Sequence, residues 1–282
     1  MRHHVKKAMA CLLGLTLVLS LCACGSPRTS AEVMKRAGEN LAKVKSMTFD
    51  MTLEMSMSAG GETVDMVVGM EGETTTEPVV VHADMAIDLG ALGAMEMELY
   101  AEQNDDTVTT YISALGQWRK EEAPLDEENA VLDAKGDMGS SLAYASGLEE
   151  IGVETVGGVE AARYDGVITK EHLQEVLKNT GVLDDLGDAM DLKKSLEDAA
   201  ENTAGLGDIP ISIWIDKEAM LPVRYEMDMT EMMQKLMDQV STAVSMEYPT
   251  VSRVKVSMTI GGIDAVDAIT IPDEAKNAQP MS

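Results

Sequence analysis

The chain has 282 residues, with 49 acidic against 22 basic side chains and a formal net charge of −27. So acidic a surface repels nucleic acid and gains no general attraction to anionic lipid, which excludes both as electrostatic partners. Methionine occurs 23 times and phenylalanine once, so the core is soft and adaptable rather than aromatic.

Residues 1–23 read as a signal peptide. Arg2, Lys6 and Lys7 precede an apolar run from Ala8 to Leu21, shorter than a membrane helix with its usual flanks. The run ends on Leu21-Cys22-Ala23-Cys24, which has the form of a lipobox: a large aliphatic at −3, a small residue at −1 and a cysteine at +1. Cys22 is the poorer candidate, because bulky Leu21 precedes it. The expectation is cleavage before Cys24 and diacylglycerol, with acyl chains of the palmitate kind, on the Cys24 thiol. The protein is then anchored on the extracytoplasmic face of a bacterial cell membrane. Removing residues 1–23 takes away three bases and no acid, so the net charge moves from −27 to −30. One acyl chain binds a membrane only marginally, so the several chains of a lipoprotein do the holding. Cys11 and Cys22 leave with the signal and Cys24 carries lipid, so no disulfide is expected.

Residues 24–30 form the lipidated cysteine and a short tether, whose last six residues span about 20 Å when extended. A helix is predicted over 31–45, capped by Thr29 or Ser30, with Met34, Ala37, Leu41 and Val44 at helical spacing. Its Lys35, Arg36, Lys43 and Lys45 make a basic element that faces lipid headgroups or plain solvent. The period then switches to two. Met47 to Met57 alternate with polar residues, Gly60-Gly61 turns the chain, and Val64 to Met70 return. Val79 to Ile87, Met95 to Leu99, Val108 to Ile112 and a strand begun by Trp118 continue an antiparallel meander with one greasy and one wet face. Residues 125–149 read as helical or irregular. A hairpin follows through Val153–Val156, Gly157-Gly158 and Ala161–Ile168, and two helices are predicted over 170–203. Strands at Ile209–Asp216 and Leu221–Met229, a Met-rich helix from Thr230 to Val244, and strands at Val254–Ile260 and Ala268–Ile271 complete the pattern. Residues 31–272 are read as a single domain and 273–282 as a polar tail. The fold class is α+β: a large curved antiparallel sheet, a half-barrel, with helices on its concave apolar face.

Leaving the greasy face in water would forfeit about 1.5–3 kcal/mol for each large side chain, so something covers it. A methionine stripe serves a filled core as well as it lines a pocket for an apolar guest. The residues placed at such a pocket are Phe49, Met51, Leu53, Met55, Met66, Val68, Met85 and Met97 from the strands, with Met233 and Met237 from the helix. Motifs for catalysis, metal or cofactor binding are not found in the chain after residue 23: His-Glu-x-x-His, Gly-x-Ser-x-Gly, a cysteine pair and a phosphate-cradling glycine loop are all missing there. No enzyme, metal or cofactor is therefore expected. His82 reads as an exposed residue on a polar strand face. Asp184, Asp185, Asp188 and Asp191 read as a solvated helix face, and Trp118 and Trp214 as anchors in the core or at its rim.

The lipobox, the first helix, the Met-rich meander, Ile213-Trp214-Ile215-Asp216-Lys217-Glu218 with Leu221-Pro222-Val223, and the ending Ile269-Thr270-Ile271-Pro272-Asp273 together resemble LolA-like lipoproteins. They are most similar to the LppX/LprG type and its uncharacterised Gram-positive relatives. The resemblance implies a half-barrel around helices, a hydrophobic cavity for lipid or acyl chains, and no enzymatic activity. Only Cys24 carries over residue by residue. Two readings follow: a membrane-anchored protein that binds or carries a lipid or other amphiphile, or a structural or interaction module with a filled core that acts on a membrane or cell-wall partner.

Overall fold

The structure, a computed structural model, describes residues 29–104, 106–125, 139, 142–169, 172, 205–244 and 249–281. The signal segment, Cys24, the helices expected over 170–203 and the aspartates at 184–191 lie outside the described residues, apart from His172.

Helix α1 spans Ser30–Leu41. Thr29 Oγ1 accepts from the Glu32 N–H at 3.3 Å, while the Glu32 carboxylate accepts from the Thr29 N–H at 3.0 Å. This reciprocal box satisfies two backbone donors at the helix start. The buried stripe is Val33, Met34, Ala37 and Leu41. The helix stops short of Lys45 because the chain must already turn into a strand. The Asp264 carboxylate accepts from the Lys45 N–H at 2.6 Å and fixes that entry.

The first meander is β1 (Ser46–Ala59), β2 (Glu62–Thr76), β3 (Val79–Asp88), β4 (Ala94–Asn104), β5 (Thr107–Ala114) and β6 (Gln117–Pro124). The second is β7 (Ala145–Val156), β8 (Val159–Ile168), β9 (Ile209–Asp216), β10 (Pro222–Asp228) and β11 (Thr250–Gly261). Helix α2 (Thr230–Val244) joins β10 to β11. With β12 (Gln279–Pro280), twelve strands form one open sheet in the order β12-β6-β5-β4-β3-β2-β1-β11-β10-β9-β8-β7. Each meander is sequential, and the antiparallel β1–β11 pair welds them together. Among the described residues no helix is long and apolar enough to cross a membrane.

Helices α1 and α2 share the inner face. Met34 and Leu41 of α1 and Met232, Met233, Leu236 and Met237 of α2 belong to one buried cluster with Phe49, Ile213 and Ile260. Strand β9 shows how the pattern drives burial: Ile209, Ile211, Ile213 and Ile215 alternate inward and are 1–2 % exposed. In β2, Gly72 lies opposite Phe49. A Cβ at Gly72 would sit 2.5 Å from Phe49 Cζ and 2.4 Å from the His82 carbonyl oxygen, so the bare backbone makes room for the chain's one phenylalanine.

Two expectations at the C-terminus are corrected. Ala268–Ile271 is not a strand, because β1 and β11 are each already paired on both sides and offer no edge nearby. The chain instead crosses the outer face, where Ile271 and Ala275 pack on Val80, Tyr100 and Tyr111, with Ile269 and Trp118 alongside. The residues expected as a polar tail form helix α3 (Asp273–Lys276) and β12, which pairs in parallel with β6.

Candidate functional site

Strand register turns the scattered methionines into a row. Met97 faces Met85, Met85 faces Met70, Met70 faces Met51, and Met51 faces Met258, from β4 through β1 to β11. Beside it runs Met95–Ile87–Val68–Leu53–Val256. Period-two alternation puts every member on the inner face. Directly opposed strand residues lie about 4.5–5.5 Å apart, so adjacent thioethers line a continuous soft strip.

The strip is graded. Met47 is 0 % exposed and Met258 5 %, whereas Met95 is 42 % and Val64 45 %. The sequence-predicted residues fall along this gradient. Phe49, Met55, Met233 and Met237 are buried members of the inner cluster, and Met51, Leu53 and Met66 are half-buried against it. Val68, Met85 and Met97 share the face and are half-buried, but do not join that cluster. Met70 and Met258 complete the row and were not singled out. Their alternation was visible in the sequence, but the register that inserts them between Met85, Met51 and Tyr225 was not.

A second feature escaped the sequence reading. Between α1 and the start of β7 lies a cavity of about 810 Å³, lined by Met34, Leu142, Ala145 and Leu148, with Lys35 and Glu149 at its polar border. Its volume falls in the range of small-molecule pockets, about 300–1,000 Å³. Gly147 at φ 63 and two register shifts break the alternation of β7, so the sequence there read as irregular.

The outer face divides into two chemistries. Over β8–β11 and the adjoining β1, bases and acids match: Arg163 with Asp165 at 2.7 Å, Arg253 with Glu54 at 2.6 Å, Lys255 with Asp228 at 3.2 Å, and Arg224 with Glu226. Trp214 is buried there between the Arg163 and Arg224 guanidiniums, 5.0 and 5.2 Å from its ring. Its indole N–H donates to Glu154 at 2.9 Å. The hydrogen bonds from Arg163 hold the Asp165 carboxyl below the usual range. Burial would raise Asp228, but Thr230 and Lys255 outweigh it and the carboxyl is also held low.

Over β2–β5 the same face is acidic and aromatic. His82 is not the exposed residue expected: its side chain is 24 % exposed and stacks on Tyr100 with ring centroids 4.3 Å apart. Burial pushes the Tyr100 phenol up to about 12, helped by its hydrogen bond to Glu98, and burial with the Glu102 bond does the same for Tyr111.

A family model described as a family of unknown function, DUF6612, matches residues 29–280, and the chain belongs to that family. No curated protein sequence matches it. Among solved structures, LprF from Mycobacterium bovis is similar at 16% identity, covering 89% of this chain and 100% of its own, with a TM-score of 0.48. The lipoprotein LppX of Mycobacterium tuberculosis is similar at 9% identity over 86% of this chain and 98% of its own, with a TM-score of 0.43. A LolA superfamily protein from Nitrosomonas europaea is similar at 9% identity over 88% and 97%, with a TM-score of 0.24.

Proposed function

We propose that this DUF6612 protein is a membrane-anchored extracytoplasmic lipoprotein that binds or carries a lipid or other amphiphile on the inner face of its sheet. The carrying observation is the five-methionine row, buried at Met258 and opening toward Met97 and Met95. An acyl chain laid along it would gain about 0.8 kcal/mol per buried CH₂. Unbranched thioether side chains repack around a guest without a fixed shape, which suits lipids of mixed chain length. Binding needs no bond making: none of the five thioethers titrates or acts as a base. The α1–β7 cavity is a separate hollow beside the helix that follows the tether, lined by Met34, Leu142 and Leu148. Cys24 and its acyl chains supply the membrane partner.

The test is native mass spectrometry of the full chain released from detergent, followed by solvent extraction of what co-purifies. A discrete lipid adduct, lost when Met51 and Met66 are both replaced by Asp in a folded variant, supports the reading. An unliganded mass that stays unchanged after mixing with a lipid panel overturns it and favours a filled core acting on a protein partner.

A further inference from the structure

Back to back with the methionine row, the outer face of the first meander carries a row of acids. Asp50 faces Glu71, Glu71 faces Asp84, and Asp84 faces Glu98, on four adjacent strands. Like charges directly opposed across strands are destabilising. The second meander relieves this by setting Asp165, Glu226 and Asp228 beside bases, yet among the described residues no Lys or Arg forms an ion pair with Asp50, Glu71, Asp84 or Glu98.

A nitrogen donor sits beside that row, in the next one along the strands. His82 lies two residues before Asp84 on the same face of β3. Its Nε2 is 3.3 Å from Glu98 Oε1, and its Nδ1 is 3.9 Å from Glu73 Oε1. Nε2 is shielded from solvent and has no hydrogen-bond partner. One ligand atom from each of His82, Asp84 and Glu98 lies within 4.8 Å of the others. Ligand atoms around four-coordinate zinc stand roughly 3.4 Å apart, so small side-chain rotations close the set.

We propose that His82, Asp84 and Glu98 bind a divalent transition-metal ion of the zinc class on the outer face of β3 and β4. One imidazole nitrogen with two carboxylate oxygens is a zinc or manganese donor set, whereas calcium and magnesium favour oxygen alone. Glu73, 3.9 Å from the far ring nitrogen, would swing in to supply the carboxylate that orients a ligating histidine. Stacked Tyr100 and two paired strands hold the imidazole in place. The ion relieves the opposed carboxylates, and three protein donors leave a coordination position for water or an outside ligand. This site lies on the other side of the sheet from the lipid face and stands or falls without it.

The full chain in detergent, stripped with chelator and dialysed, is titrated with zinc chloride by calorimetry, with manganese and calcium in parallel. The expected result is one zinc per chain, at least tenfold weaker binding in His82→Asn, Asp84→Asn and Glu98→Gln, unchanged binding in Glu226→Gln, and weaker calcium binding. Circular dichroism of each variant confirms the fold. Should those variants unfold, the intact protein still decides: Trp118 lies 5.8 Å from Tyr100, so cobalt in the site quenches emission that Trp118→Phe removes. Absence of stoichiometric zinc, binding that survives His82→Asn, or quenching unaffected by Trp118→Phe overturns the proposal.

Discussion

The two meanders solve the same problem with different side chains. The second centres its inner face on the four isoleucines of β9 and sets Asp165, Glu226 and Asp228 of its outer face beside bases. The first covers its inner face with methionine and sets its outer acids against one another. Isoleucine is stiff and fills a fixed volume, while methionine yields. One half of the sheet is thus built as a stiff frame and the other as a yielding surface, with β1–β11 as the seam.

The contrast predicts a ranked set of mutational effects. Ile213→Ala should cost about 2–5 kcal/mol in denaturant unfolding, because Ile213 is 1 % exposed in a packed core. Met85→Ala should cost much less, about 1 kcal/mol, since its half-buried side chain has less packing to lose. Equal costs would erase the distinction between frame and surface. Gly72→Ala should cost about 1–3 kcal/mol through overpacking against Phe49 and the His82 carbonyl, and near-neutral behaviour would mean the first meander yields even at its buried end.

Acid should act on the second meander first. Asp165 titrates below its free value near pH 3.9. Its stabilisation is therefore complete above the free value and fades as pH falls through the lower folded one. The pair is partly exposed, so the loss stays below about 1 kcal/mol. Asp165→Asn should flatten the dependence of stability on pH in that range; an unchanged slope would show that the pairing contributes nothing. Smallest of all, Glu71→Gln in chelator-treated protein should be neutral or stabilising by about 0.2–1 kcal/mol, since it removes opposed charge from Asp50 and Asp84. Marked destabilisation would show that the acid row holds a partner of its own.

Much of this plan was legible in the sequence, and the losses have physical causes. Strict alternation exposed β1 to β6, and a cap at Thr29 or Ser30 ahead of apolar residues at helical spacing exposed α1. The weld between β1 and β11 was not legible, because pairing of Met51 with Met258 leaves no local trace. The methionine row was therefore seen as members and not as a row. His82 read as exposed because Glu73, Glu98 and Tyr100, which surround it, belong to other strands. Ala268–Ile271 has a strand's composition, but composition cannot supply a free edge to pair with. Where β7 carries bulges and Gly147, alternation fails, and the adjoining cavity went unread.

An open sheet leaves two borders at which a neighbouring molecule can add its own strand. At β7, bulges and the acids Glu149, Glu150 and Glu154 discourage that. At β6 the guard is β12, with the Met281 N–H donating to the Lys120 carbonyl at 2.8 Å and the Lys120 ammonium to the Lys276 carbonyl at 2.9 Å. That guard follows the other eleven strands in the chain, so during synthesis the β6 border stays open until the end. A cut near Pro272 would free α3 and β12, and with them Ala275 from its cluster with Tyr100 and Tyr111, and so reopen it. The bared β6 edge would then invite pairing with a strand of a neighbouring molecule.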